Sequence, residues 1–172
     1  MIQNELVVHV PIGGLSAVRA PRVLTTLLGS CVALVLQDLR HRVAVLAHVV
    51  RPSGQGASLG PGSIAETAAQ HAVDLAVQNG ADRRDLVARL AGGGRMFDGG
   101  LEIGAQNAAA LRTQCERLGL IFAGQVVGPR DGGCFAIVDA MTGKVQVSAL
   151  RKGDDTGWRA LLEQIIGQRE AT

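Results

Sequence analysis

The sequence predicts an α/β protein with helices layered on both faces of a mixed, largely antiparallel sheet, as an α/β/α sandwich. Short apolar runs rich in Val, Leu and Ile are interspersed with amphipathic segments of helical length, without strict alternation. Hydrophobic residues make up 47% of the chain but aromatic residues only 2%, so small aliphatic side chains must fill the core. The length of 172 residues favours a single domain over residues 1–172.

Four strands are predicted in the first third of the chain. They cover residues 5–10, 22–28, 31–37 and 42–50. The polar segment 38–41 separates the last two strands, which is typical of a β-hairpin. Gly29 and Ser30 break the chain just before this hairpin.

The middle of the chain predicts two helices, with a strand and a glycine-rich loop between them. Ser63 and Glu66 form a capping-box pattern that should begin the first helix, and Asn79 and Gly80 should end it. The expected buried stripe of this helix is Ile64, Ala68, Ala72, Leu75 and Ala76. A strand over residues 86–90 leads into the loop AGGGRMFDGG, and a second helix covers residues 105–118.

The last part of the chain predicts three strands and a C-terminal helix. The strands cover residues 120–127, 134–139 and 145–150, and the helical extension lies near residues 155–170. This helix carries an apolar stripe formed by Trp158, Leu161, Leu162, Ile165 and Ile166. The stripe is expected to cover the protein's own sheet, and a docking surface for a partner is the alternative.

Composition argues against several functional classes. The net charge is +2 and no basic stripe with interleaved aromatic residues occurs, so no nucleic-acid partner is expected. The chain has no apolar run of membrane-spanning length, and its first residues do not resemble a signal peptide, so a cytoplasmic protein without membrane insertion is expected. The three cysteines form no CxxC pair, so neither a metal site nor another cofactor is expected.

Cys31 and His48 are the two residues of the hairpin that suggest chemistry. If the turn is centred between Leu39 and Arg40, they lie directly opposite each other, with Cβ atoms about 4.5–5.5 Å apart. A thiol is activated as a nucleophile by an imidazole that removes its proton. The alternative is that Cys31 is a small buried hydrophobe, as expected for Cys115 and Cys134.

The residues that precede Cys31 complete this hypothesis. Gly29 permits a sharp turn, so the backbone N–H groups near Gly29 and Ser30 can face a developing oxyanion. Thr25 or Thr26 can orient the imidazole of His48. Successive residues of a strand point to opposite faces, so only one of the two threonines can share the side of His48.

Several segments stand out along the chain: TTLLGSCVALVLQD followed by RVAVLAH, then AETAAQHAV, ARLAGGGRMF and IGAQNAAAL, and last the turn at Thr142 and Gly143. Together these segments resemble the CheD family of chemoreceptor glutamine deamidases. They occur in the family's order and spacing over roughly residues 20–150. Arg95 and Met96 lie in the glycine-rich segment, which is expected to be a loop that lines a groove or is exposed to solvent.

The resemblance implies a catalytic triad of Cys31, His48 and Thr25, where the family spacing favours Thr25 over Thr26. It also implies the α/β/α sandwich and the hydrolysis of a glutamine side-chain amide in a chemoreceptor to glutamate and ammonia. Some family members also hydrolyse glutamyl methyl esters, and some bind a CheC-type phosphatase. A non-catalytic module that docks a chemoreceptor or such a phosphatase is the alternative function.

Overall fold

The computed structural model describes residues 5–54, 59–93, 102–127, 132–150 and 156–170 of the chain. Within these residues the strands are β1 (Val7–His9), β2 (Leu15–Arg19), β3 (Val23–Leu28), β4 (Val32–Asp38), β5 (Val43–Val49), β6 (Val87–Gly92), β7 (Ile121–Val127), β8 (Cys134–Asp139) and β9 (Val145–Ala149). The helices are α1 (Ala65–Gln78), α2 (Ile103–Arg117) and α3 (Gly157–Glu170). The loop residues Arg95 and Met96 lie outside the described residues.

The strands form two sheets rather than one. The five-stranded sheet has the order β2-β5-β4-β6-β7, and the four-stranded sheet has the order β1-β3-β8-β9. The pairs β6–β7 and β1–β3 are parallel, and the other pairs are antiparallel. The predicted α/β class and the mixed, largely antiparallel pairing are therefore confirmed.

Three apolar clusters hold the layers together. Helices α1 and α2 pack on the outer face of the five-stranded sheet, and the two sheets pack on each other. Helix α3 covers the outer face of the four-stranded sheet. Residues 32–36 of β4 are all apolar because both faces of the strand are buried. Leu34 and Leu36 face the helices, whereas Ala33 and Val35 face the other sheet.

The register of the β4–β5 hairpin differs from the prediction. Val32 pairs with Val49 and Asp38 with Val43, so the turn is centred one residue later than expected. The Asp38 carboxylate explains the shift, because it accepts a hydrogen bond from the backbone N–H of His41 at 3.0 Å and holds Asp38 in the strand. Arg42 closes the loop with a positive φ of 54°.

Two other local predictions were wrong. Strand β2 was not predicted, although it pairs with residues 43–47 of β5 and forms one edge of the five-stranded sheet. Ser63 does not cap α1: its hydroxyl donates to the carbonyl of Gly60 at 2.8 Å, and Ile64 occupies the N-cap position without a side-chain hydrogen bond. Within the predicted buried stripe of α1, Ala68, Ala72 and Ala76 are buried, whereas Ile64 and Leu75 are half-buried.

The C-terminal helix packs on the protein's own sheet, as expected. Leu162 and Ile166 are buried against Val23, Phe135 and Ile137, and the other apolar residues of the stripe are half-buried beside them. The Trp158 ring stacks on Phe135 with centroids 4.5 Å apart.

Replacing Leu162 with Ala should therefore lower the free energy of unfolding by roughly 2–5 kcal/mol, the usual cost of truncating a buried leucine. Urea denaturation provides the measurement. The exposed Gln164 on the same helix is the matched site, and its replacement by Ala should change stability by less than about 0.5 kcal/mol. Equal effects of the two substitutions would contradict the packing of α3 on the sheet.

Candidate active site

A cleft of about 380 Å³ opens where the four-stranded and five-stranded sheets meet. Its lining combines the two residues predicted from the hairpin with apolar residues from the start of the chain and from β3. The lining residues are His9, Val10, Ile12, Thr26, Leu27, Gly29, Ser30, Cys31 and His48. The structure thus brings Cys31, His48, Gly29 and Ser30 together, as the sequence predicts.

Cys31 lies at the point where the chain passes from one sheet to the other. Strand β3 belongs to the four-stranded sheet and β4 to the five-stranded sheet, so residues 29–31 form the link. The carbonyl of Cys31 accepts a hydrogen bond from the backbone N–H of Gly93 at 3.2 Å. Gly92 lies so close to Leu28 that a Cβ at this position would be 2.8 Å from Leu28 Cδ1. The absence of a side chain at Gly92 therefore lets this segment approach the backbone of Cys31.

His48 lies on the same face as Cys31, but it is not directly opposite. It pairs with Ala33, which makes Cys31 its diagonal neighbour. The turn is centred one residue later than predicted, so the partner of His48 changes by two positions, from Cys31 to Ala33. Residues two apart in a strand point to the same face, so Cys31 and His48 still share a face. The prediction of direct opposition was wrong, whereas the prediction of a shared face is confirmed, because both side chains line the cleft.

A threonine hydroxyl determines which nitrogen of His48 carries the proton. Thr26 Oγ1 lies 2.8 Å from His48 Nδ1 and donates its own proton to the carbonyl of Val10 at 2.7 Å. A hydroxyl has one proton, so Thr26 must accept from Nδ1–H. Nε2 of the neutral ring therefore keeps its lone pair, and it is buried without a hydrogen-bond partner among the described residues.

The hydrogen bond to His48 comes from Thr26, not from the expected Thr25. Thr26 pairs with Ala136, which faces the interior between the sheets, whereas Thr25 pairs with Ile137 on the side of α3. Thr25 Oγ1 instead lies 3.4 Å from His9 Nδ1. The alternation of β3 thus directs Thr26 towards the five-stranded sheet, where His48 lies.

Burial keeps both reactive groups neutral in the free protein. It raises the pKa of the Cys31 thiol above its ordinary value. Burial, with a smaller contribution from the charge of His9, lowers the pKa of His48 to about 4. The cleft therefore holds a thiol and an imidazole base rather than an ion pair. Cys115 and Cys134 are buried in apolar clusters, as expected, with pKa values of about 11 because of burial.

Sequence reasoning missed the contribution of Asn107. Its side chain is fully buried, and Nδ2 donates to the carbonyl of Val50 at 3.0 Å, two residues after His48. Three positions earlier in α2, Gly104 packs closely against Gly93. A Cβ at Gly104 would lie 2.8 Å from the carbonyl oxygen of Gly93. The position of Asn107 on the buried side of an amphipathic helix could have indicated this role from the sequence. Its hydrogen bond connects the start of α2 to the hairpin.

A possible set of metal ligands lies away from the cleft. Asp38, His41 and Asp85 bring oxygen and nitrogen atoms within 4.8 Å of one another. The Asp38 carboxylate already accepts hydrogen bonds from the backbone N–H groups of His41 and Asp82. These contacts stabilise the hairpin turn, and we assign no metal to them.

A buried thiol beside an imidazole that a hydroxyl orients is the arrangement of a cysteine-dependent acyl hydrolase. Comparison with known proteins identifies the family. A family model described as CheD chemotactic sensory transduction matches residues 50–149. The chain is 32% identical to the probable chemoreceptor glutamine deamidase CheD of Methanococcus vannielii over 87% of this chain and 97% of that protein.

Two further relatives extend the comparison. The probable chemoreceptor glutamine deamidase CheD of Symbiobacterium thermophilum is 36% identical over 74% of this chain and 81% of its own length. The chemoreceptor glutamine deamidase CheD of Thermotoga maritima is 37% identical over 63% of this chain and 71% of its own. The chain belongs to the CheD family.

The helices were compared with the length and hydropathy of a membrane-spanning segment. None of the helices in the described part of the chain has the length and apolar character needed to cross a membrane.

The lowered pKa of His48 predicts how stability depends on pH. The unfolded chain binds a proton at the ordinary value of 6.5, whereas folded His48 binds one only at about 4. The wild-type protein should therefore lose stability as the pH falls through this interval, by at most roughly 3 kcal/mol from this group. Urea denaturation at a series of pH values measures the slope.

The variant His48→Gln should show a smaller slope between about pH 6.5 and 4, because it lacks the buried imidazole. Leu162→Ala is the control, since it is destabilised but keeps His48 and should keep the wild-type slope. An unchanged slope in His48→Gln would contradict the burial of a neutral imidazole.

Proposed function

We propose that the protein hydrolyses the side-chain amide of glutamine residues in a chemoreceptor to glutamate and ammonia. The observation that carries the proposal is the hydrogen bond from His48 Nδ1–H to Thr26, which leaves Nε2 as a base in the same cleft as Cys31. The names of the relatives supply the substrate, since each is described as a chemoreceptor glutamine deamidase. The catalytic roles below are part of this proposal.

In the first step His48 Nε2 takes the proton of the Cys31 thiol while Sγ attacks the amide carbon. The carbonyl oxygen gains the negative charge and faces the backbone N–H groups near Gly29 and Ser30. The imidazolium then transfers its proton to the amide nitrogen. The C–N bond breaks, ammonia leaves, and the acyl group remains on Cys31 as a thioester.

In the second half of the reaction, water replaces ammonia. His48 removes a proton from the water molecule that attacks the thioester, and the C–S bond breaks as the thiolate regains the proton. The products are a glutamate side chain and the free thiol. A glutamyl methyl ester has the same acyl carbon, so the same steps would release methanol from it.

Thr26 matters most when His48 is charged. Protonation of a buried imidazole is costly, which is the cause of its low pKa. The Thr26 oxygen accepts from Nδ1–H, and its own proton points to the Val10 carbonyl, so the dipoles along this chain favour the imidazolium. The hydrogen bond also fixes the orientation of the ring and leaves Nε2 as its unprotonated nitrogen.

Three associations implied by the family remain proposals. The receptor would act as the substrate, the reaction would take place in the cytoplasm, and a CheC-type phosphatase would be a binding partner. A protein that only docks its partners would need no oriented base, and the Thr26–His48 arrangement therefore favours catalysis.

Mass spectrometry of a chemoreceptor cytoplasmic fragment incubated with the protein tests the function. Conversion of glutamine to glutamate adds about one mass unit at a defined residue, and Cys31→Ala should abolish it. Cys115→Ala is the matched control, because this thiol lies in the helix-side core and should leave the reaction in place. Deamidation that persists in Cys31→Ala would contradict the mechanism.

The two threonines give a sharper prediction. Thr26→Ala should lower kcat by roughly 100-fold, the order expected when a catalytic group loses its orientation. Thr26→Ser keeps the hydroxyl and should restore most of the activity. Thr25→Ala should change kcat by less than about threefold, since Thr25 faces α3 and contacts His9.

Rates of deamidation for the three variants, measured by the same mass shift, check this order. A large loss in Thr25→Ala with little change in Thr26→Ala would overturn the assignment of Thr26.

A further inference from the structure

Two large apolar side chains remain exposed at the cleft. Ile12 is 53% exposed and Leu27 is 47% exposed, and both line the cavity with Cys31 and His48. A third exposed side chain, Leu59, lies beside the adjacent Gly13. Exposed apolar residues that cluster at a cavity mark a binding surface more often than isolated ones do. We call Ile12 and Leu27 the apolar rim.

The apolar rim is joined to the catalytic residues by the backbone. The N–H of Gly13 donates to the carbonyl of His48 at 3.1 Å, and the N–H of His48 donates to the carbonyl of Gly14 at 3.0 Å. Leu27 directly follows Thr26 in β3. A group bound to the rim is therefore held in a fixed relation to the base and to the residue that orients it.

The described residues that line the cleft offer a ligand no permanently charged side chain. Among the described residues that line it there is no Asp, Glu, Lys or Arg. Its polar groups are two imidazoles, two hydroxyls, the thiol and the backbone. A charged side chain carried into this cleft would lose water and would find no Asp, Glu, Lys or Arg among the described lining residues to pair with it, whereas a neutral amide would lose less.

We propose that the apolar rim binds apolar side chains that flank the target glutamine of the chemoreceptor substrate. The proposal rests on the proposed function and specifies its substrate. The segment that binds carries apolar residues beside the glutamine and no charged side chain in contact with Ile12 or Leu27. Specificity thus comes from the immediate surroundings of the glutamine.

The lack of Lys and Arg among the described lining residues also favours release of the product. Hydrolysis converts a neutral amide into a carboxylate, and the described lining provides neither Lys nor Arg to pair with it. The new charge is more stable in water than in an apolar cleft. The glutamate form of the segment should accordingly bind more weakly than the glutamine form.

Binding to a protein that cannot turn over its substrate tests the rim directly. In a Cys31→Ala background, Ile12→Ser and Leu27→Ser should each raise the Kd for a chemoreceptor cytoplasmic fragment by roughly 10-fold. Ile121 and Leu39 are 56% and 53% exposed and do not line the cleft, so Ile121→Ser and Leu39→Ser are matched controls that should leave the Kd unchanged.

Turnover with Cys31 intact supplies the second measurement. The rim variants should raise KM and leave kcat within about twofold, because they lie outside the reacting groups. A peptide with Leu on both sides of its glutamine should be a better substrate than a peptide with Glu or Lys at those positions.

The outcomes separate the rim from the proposed function. Deamidation with KM values unaffected by Ile12→Ser and Leu27→Ser would overturn the rim alone, as would equal losses in the control variants. Rim-dependent binding without any mass shift from the wild-type protein would support the rim and contradict the deamidase function. Absence of binding to the fragment by the Cys31→Ala protein would overturn the rim as the docking surface.

Discussion

The buried hydrogen bond between Thr26 and His48 is the interaction on which the site depends. Thr26 belongs to the four-stranded sheet and His48 to the five-stranded sheet, so this contact joins the two sheets across a mostly apolar interior. Aliphatic side chains bring the sheets together but do not specify their alignment closely. A buried polar pair is stable only when its geometry is satisfied, and it therefore also specifies how the sheets meet.

Glycines and one asparagine hold the segments that carry Cys31 and His48 in place. The Cys31 backbone is fixed by Gly93, whose close neighbour Gly104 begins the same helix that carries Asn107. Asn107 in turn binds the carbonyl of Val50 at the end of the strand that carries His48. The start of α2 therefore contacts Gly93, which binds the Cys31 backbone, and Val50, which lies two residues after His48. A side chain at Gly92 or Gly104 would separate backbone segments that position the cysteine.

The sequence was most informative where a pattern is local. The hairpin, the shared face of Cys31 and His48 and the apolar stripe of α3 follow from alternation and helical spacing, and the structure confirms them. Two sheets could not be told from one, because a strand such as β4 is apolar on both faces in either arrangement. The family spacing pointed to Thr25, and this choice was wrong, since alternation shows that Thr25 and Thr26 diverge but not which one faces the other sheet.

Tertiary contacts explain the remaining errors. Asp38 moved the turn because its carboxylate binds the backbone at His41 and at Asp82, and Asp82 is distant in sequence. Ser63 fits a capping motif, yet its hydroxyl binds Gly60 within the preceding turn. The short strand β2 has little signal of its own and is stabilised by pairing with β5.

The protonation state of His48 is the most direct measure of the central claim. Long-range ¹H–¹⁵N NMR of the protein with ¹⁵N-labelled histidine distinguishes the two ring nitrogens. Near neutral pH, His48 should be neutral with its proton on Nδ1 and should titrate near 4, and Thr26→Ala should lose this fixed tautomer. A His48 ring that is doubly protonated near neutral pH, or protonated on Nε2, would contradict the role given to Thr26 and the reaction built on it.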